Sequence, residues 1–316
     1  MARAAWVRAA GERGMKRPRS SLLDLTTQLW VRLTGRRVAL TDVPWLDGPT
    51  GDVDVIGESF FHRLAERDGL IVDDSGHPQG LLPSMSALSG PSFDALQLHP
   101  QVQRFYLQTS TYGFDVEPVW SGGLRPFAWL VSALFSRRLR QLNVPLSKAD
   151  VARGATSEVF AVRDGDKHLF TAWVRSLAST NNTLYVGAYS TTEVPGFSGR
   201  CIKVVFPLPN GNAVVLMRPE LQANGSLRLV SSGTQFGDPG FYFVVKRPGR
   251  QAVAKYVRAL EETIHVFVDD DDDFVRAEHR LQFMGRPFLL QRYSMERQSS
   301  NSSGAATTAV EEESLP

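Results

Sequence analysis

Three stretches of this 316-residue chain carry aromatic and cationic side chains at alternate positions: HLFTAWVRS (168–176), TLYVGAYS (183–190) and RCIKVVFP (200–207). In an extended chain, successive side chains point to opposite faces. Trp173 and Arg175 therefore share a face, as do Tyr185 and Tyr189, while Phe170, Ala172 and Val174 take the opposite one. In the third stretch Cys201 and Lys203 oppose Ile202, Val204 and Phe206. The pattern is one apolar face and one face of aromatics, threonines and cations. Arg and Lys recognise carboxylates and phosphates, and aromatic rings enclose apolar groups. A mixed face of this kind suits solvent, with cross-strand pairs upon it, or the wall of a cavity that holds an apolar, lipid-like acid. On the cavity reading the binding set is Trp173, Arg175, Tyr185, Tyr189, Arg200 and Lys203.

A second chemistry would come from IHVFV (264–268) and FVRAEHRLQF (274–283). One hairpin register sets His265 opposite Glu278, a base beside its orienting carboxylate. Another sets it opposite Arg276, which would oppose charging of the ring. His279 lies in phase with Val275, Ala277, Leu281 and Phe283, so it is expected to be a hydrogen-bonded core residue.

Other catalytic patterns are missing. There is no GxSxG elbow, no Walker A loop, no GxGxxG after a strand, and no HExxH or His pair at i, i+4. The run DDDDD at 269–273 lacks the spacing and turn glycine of a calcium loop and reads as a solvated turn. Cys201 is the sole cysteine, which excludes an internal disulfide and a thiolate zinc site. No cofactor or metal is expected. The sequence leans towards a non-enzymatic binding protein, with a His265/Glu278 enzyme as the alternative.

The formal net charge is only +2, so nucleic acid is not an expected partner. Arg greatly outnumbers Lys, a bias that points to a GC-rich bacterial genome. The first 19 residues are basic but lack the apolar centre of a secretory signal. No stretch reaches the roughly 20 apolar residues that span a bilayer. A cytoplasmic protein, at most peripheral to the inner face of the membrane, is the expectation. The segment RPFAWLVSALFSRRLRQLNVPLS (125–147) bears on this directly. Its first two turns are apolar or small almost all round, which favours a buried helix over 125–143. Arg137, Arg138 and Arg140 gather at its C-terminal end, where they suit the helix dipole and would meet an anion or an anionic membrane surface. A structural or interaction protein that uses this helix is a third reading.

These side chains need elements to hold them. Residues 1–19 and 297–316 are expected to be a disordered basic arm and a disordered tail. Residues 20–150 read as helical, with helices near 21–34, 54–68, from Pro100, and over 125–143. Residues 151–296 read as an antiparallel part that forms one compact unit with the helices. Seven period-two stretches follow Ser157, the Asn210-Gly211 pair marks the firmest hairpin, RQAVAKYVRALEE (250–262) reads as an inserted helix, and three strands come last. The expected fold is α+β: a helical N-terminal half packed on a meander of about ten strands, as a bent sheet or β-barrel.

Overall fold

The computed structural model describes residues 22–51, 57, 59–73, 75, 77–120, 155–177, 183–269 and 274–298. Eleven strands follow one another from residue 155 with two breaks in pairing. They begin β4 (Ala155–Asp164), β5 (Lys167–Leu177), β6 (Thr183–Val194), β7 (Phe197–Leu208), β8 (Gly211–Leu221) and β9 (Leu227–Ser231). Each of these pairs antiparallel with the next, as short links dictate. Then β10 (Gly240–Arg247) and β11 (Gln251–Tyr256) fold back, with β10 pairing to β8. Finally β12 (Leu260–Val268), β13 (Val275–Phe283) and β14 (Arg286–Arg297) extend the sheet beyond β9.

The sheet divides at β8. Gly211–Leu216 pair with β10 along the same edge on which Arg218–Leu221 pair with β9. Its other edge belongs to β7 as far as Met217. Two lobes therefore diverge from one strand. Pro219, which has no N–H to give, lies past the last β7 pair, where β8 has already lost that neighbour.

The N-terminal third supplies edges rather than a helical half. β1 (Arg36–Ala39) pairs with β11, β2 (Ile71–Val72) with β4, and β3 (Tyr112–Trp120) with β14. Among the described residues there are three short α-helices: α1 (Leu22–Thr34), α2 (Phe60–Asp68) and α3 (Pro100–Leu107). This overturns the expected α+β plan of a helical half packed on a sheet. The molecule is a predominantly antiparallel sheet of fourteen described strands, and β3 and β4 touch without pairing, so it does not close as a barrel.

The inserted helix expected at 250–262 is also wrong. Those residues form β11, a turn and the start of β12. β11 is held between β10 and β1, and Ala252, Val253 and Ala254 are all buried. A strand covered on both faces shows a continuous apolar run, which periodicity cannot tell from a buried helix. The 125–143 helix, with Arg137, Arg138 and Arg140, falls outside the described residues, as do the 1–19 arm and most of the 297–316 tail. Among the described residues no helix is long and apolar enough to cross a membrane.

The β7–β8 turn has its own logic. Leu208 pairs with Gly211, so Pro209 and Asn210 form the loop, and Asn210 takes the positive φ of 61°. Gly211 serves a different purpose: a Cβ there would strike the Val244 carbonyl of β10.

The apolar face of β4–β8 is covered by the 40–50 segment and α2. Trp45, Leu46, Phe60, Phe61 and Leu64 pack on Phe170, Ala172, Val174, Val186, Ala188, Val205, Val214 and Leu216. An ionic clasp pins this cover. The buried Asp47 carboxylate meets Lys246 Nζ at 2.9 Å and Arg250 Nη2 at 3.2 Å. Lys203 Nζ donates to the Asp47 carbonyl, and to the Pro44 carbonyl at 3.4 Å.

Burial pulls the Lys203 ammonium down to about 8; Asp47 opposes that shift and Lys246 adds to it. In the unfolded chain a lysine titrates near 10.4, so between these values the unfolded state binds more protons. Stability from this group is therefore absent below pH 8 and gained as pH rises towards 10.4. Denaturant titrations at pH 7 and pH 10 should show a gain on the order of 3 kcal/mol in the wild type relative to Lys203→Met, which cannot titrate there. An equal pH dependence in the two proteins would show that Lys203 is charged throughout.

Candidate functional site

Between the two lobes lies a cavity of about 210 Å³. One wall is the inner face of β5–β8: Trp173 and Arg175, Tyr185 and Tyr189, Val204 and Phe206, Val215 and Met217. The opposite wall comes from β12–β14 and β3: Glu262 and Ile264, Ala277 and His279, Gln291 and Tyr293, Phe114 and Val116. Phe105 and Tyr106 of α3 complete it. Strand alternation explains the strand residues, since the members of each strand pair are separated by two positions, or four for Tyr185 and Tyr189. Gly187 pairs with Trp173 and leaves the space that the Tyr185 ring folds into; a Cβ at 187 would meet that ring.

Arg175 dominates the site. It is only 7% exposed, and its Nε and Nη2 are buried with no hydrogen-bond partner among the described residues. Its guanidinium carbon lies 4.8 Å from the centre of the Phe114 ring, 5.7 Å from Trp173 and 5.9 Å from Tyr293. These rings stabilise the cation but accept few of its N–H groups. Burial draws its pKa below the ordinary value, and the neighbouring tyrosines Tyr293, Tyr185 and Tyr189 push back. These three phenols are the groups that act on it most strongly.

The tyrosines are neutral donors. Tyr185 donates to the Tyr189 hydroxyl at 2.7 Å, and Tyr293 donates to Gln291 Oε1 at 3.0 Å. Burial raises the pKa of all three; the charge of Glu262 raises each further, while Arg175 opposes the rise at Tyr293. Across the cavity His279 Nε2 sits 2.6 Å from Glu262 Oε1, side chains 17% and 15% exposed. The ring nitrogen is not aimed squarely at that oxygen, so the contact is a close approach rather than a well-formed hydrogen bond. Glu262 and Arg175 thus face the same tyrosines without pairing with each other.

Of the six residues expected to bind a ligand, Trp173, Arg175, Tyr185 and Tyr189 line the cavity together. Trp173 is fixed by an Nε1–H bond to Ser157 Oγ at 2.9 Å. Lys203 does not join them. Tyr189 pairs with Val204, so Val204 shares its face and Lys203 points to the covered side. Arg200 stands near the far end of β7, opposite Glu193 and 3.6 Å from it, with both side chains exposed.

His265 and Glu278 are directly opposite in register, as one of the two hairpin alignments required. They lie on the outward face, however, since Glu262, Ile264 and Val266 carry the cavity face of β12. His265 Nε2 is 2.8 Å from Ser226 Oγ, and Glu278 is 3.6 Å from Arg292 Nε. Burial lowers the His265 pKa; Glu278 opposes and Arg228 adds to the effect. Cys201 is buried, and burial pushes its thiol up to about 12, far from a reactive thiolate.

Glu262, Tyr293, Gln291 and Phe114 are cavity residues that the sequence did not single out, and His279 is one that it singled out for another role. Glu262 was hidden inside the expected 250–262 helix. His279 was placed on the right face but taken for core. Phe114 belongs to β3, whose Tyr112, Phe114 and Val116 do alternate ahead of Pro118. Pro118 is tolerated because β3 is an edge strand. Among the described residues no three His, Cys, Asp or Glu side chains converge as metal ligands would. Comparison with protein-family models, with curated proteins and with solved structures gives no match.

An unpaired buried cation costs stability that an apolar side chain of similar size would not. In the ligand-free protein, Arg175→Met should raise the unfolding free energy by about 1–2 kcal/mol in chemical denaturation. A loss of similar size would mean that the ring contacts make Arg175 a structural residue.

Proposed function

We propose that this chain is a non-enzymatic binding protein for an apolar, lipid-like ligand with an acidic group, held in the cavity between the two lobes. The carrying observation is Arg175, a buried guanidinium whose Nε and Nη2 have no hydrogen-bond partner among the described residues, in a cavity walled mostly by apolar and aromatic side chains. A carboxylate there would receive charge-assisted bonds from the guanidinium, which presents its donors in a fork. The Trp173, Phe114 and Phe206 side chains would enclose the apolar body. Tyr189, kept protonated and accepting from Tyr185, would add a neutral donor beside the acid. A cytoplasmic setting belongs to the proposal, with Arg137, Arg138 and Arg140 meeting an anionic membrane surface; sequence alone supports that part.

The purified full-length protein should carry a bound organic acid visible by native mass spectrometry and recoverable by solvent extraction. After extraction, octanoate or phenylacetate should raise the melting temperature and change the fluorescence of Trp173. Arg175→Met should weaken either acid by about 10- to 100-fold, the range for a lost charge-assisted hydrogen bond. If no acid binds the wild type, or if acids bind Arg175→Met equally well, the proposal fails.

A further inference from the structure

The cavity has two charged poles, and a simple fatty acid would satisfy only one. Arg175 supplies the cation from β5. Glu262 supplies a carboxylate from β12, with His279 drawn up to its Oε1. That leaves Oε2 as a second acceptor on this cavity-lining side chain, because an ionised carboxylate accepts and cannot donate. A purely structural pair would bring Glu262 onto Arg175 and cancel two buried charges. The two instead act on the same tyrosines while staying unpaired.

Size sets a second limit. An apolar cavity of about 150 Å³ holds benzene. The present cavity, at about 210 Å³, has room for a benzene ring and a few more atoms. By that comparison the part of the ligand held among these side chains has on the order of ten non-hydrogen atoms, too few for a long acyl chain.

Building on the reading that Arg175 takes an acid group, we infer that the ligand is a compact hydroxylated carboxylic acid, with its carboxylate on Arg175 and its hydroxyl donating to Glu262. Tyr185 and Tyr189 bridge the space between the poles, and Trp173 and Phe114 flank the ring or short chain. His279 is a positioning residue that holds the carboxylate in place.

Isothermal titration of the full-length protein can test this with phenylacetate, its 3-hydroxy and 4-hydroxy derivatives, 4-methoxyphenylacetate and palmitate. One hydroxy acid should bind at least about tenfold tighter than phenylacetate and the methoxy compound, which cannot donate, the gain of one charge-assisted hydrogen bond. Palmitate should bind more weakly than the hydroxy acid. The hydroxyl advantage should vanish in Glu262→Met and shrink in Glu262→Gln, while phenylacetate keeps its affinity in both. Should Glu262→Met fail to fold, Glu262→Gln carries the comparison. Equal binding of parent and hydroxy acids to the wild type, or an advantage unchanged in both Glu262 variants, overturns the second pole. The acid reading then still stands if Arg175→Met loses phenylacetate, and it falls if none of the acids binds at all. Palmitate as the tightest ligand overturns the size limit.

Discussion

A strand has two edges, and β8 is asked to serve three neighbours. It gives one edge to β7 and divides the other between β10 and β9 near Met217. A sheet cannot stay in one layer when two strands claim successive halves of one edge. Beyond the split, β10 and β11 carry the sheet to one side, and β9, β12, β13 and β14 carry it to the other. The second lobe comes round until β3 touches β4. The space between the lobes follows from that geometry, and its volume is set by how far they diverge before side chains meet.

The split also decides what each face must be. The side of β4–β8 away from the cavity packs under the 40–50 segment and α2, so it needs small and apolar groups: Ala172, Val174, Val186, Ala188 and Cys201 are all buried there. The cavity side needs large rings to reach across the gap, and Trp173, Tyr185, Tyr189 and Phe206 meet one another with ring centres 5.3–6.3 Å apart. Edge-on and tilted contacts at such distances suit the ring quadrupoles. Gly187 is part of the same solution, because the ring of Tyr185 occupies the volume that any side chain at 187 would fill.

Period two was strong enough in the sequence to reveal β4–β10 and β12–β14, and to set Trp173 with Arg175 and Tyr185 with Tyr189. Relations between strands were not legible. Nothing in RCIKVVFP says that Tyr189 will stand opposite Val204, and a shift of one residue would have brought Lys203 inward. The same ignorance of register left His265 undecided between Glu278 and Arg276, and gave no hint that His279 would approach Glu262. β11 was lost because a fully covered strand has no polar face to mark it. β1 and β2 are short edges of four and two residues, too brief for a pattern to form.

The two buried cations of β5 and β7 make the strongest internal comparison. Lys203 and Arg175 lie in the same sheet and are comparably hidden, at 8% and 7% exposed. Around Lys203 the chain folds back so that two carbonyls accept from the ammonium, and a buried carboxylate stands near enough to oppose its loss of charge. The fold is therefore able to answer a buried cation when the answer is structural. Around Arg175 the described residues bring ring faces and phenols, although Glu262 is available across the same cavity. Buried polar groups are almost always satisfied, and the exception needs a cause. Strain does not supply one, since no positive φ occurs on β5 or β6. An acidic ligand of the kind proposed above would supply one, and the position of Glu262 beyond the tyrosines gives the span that it would bridge.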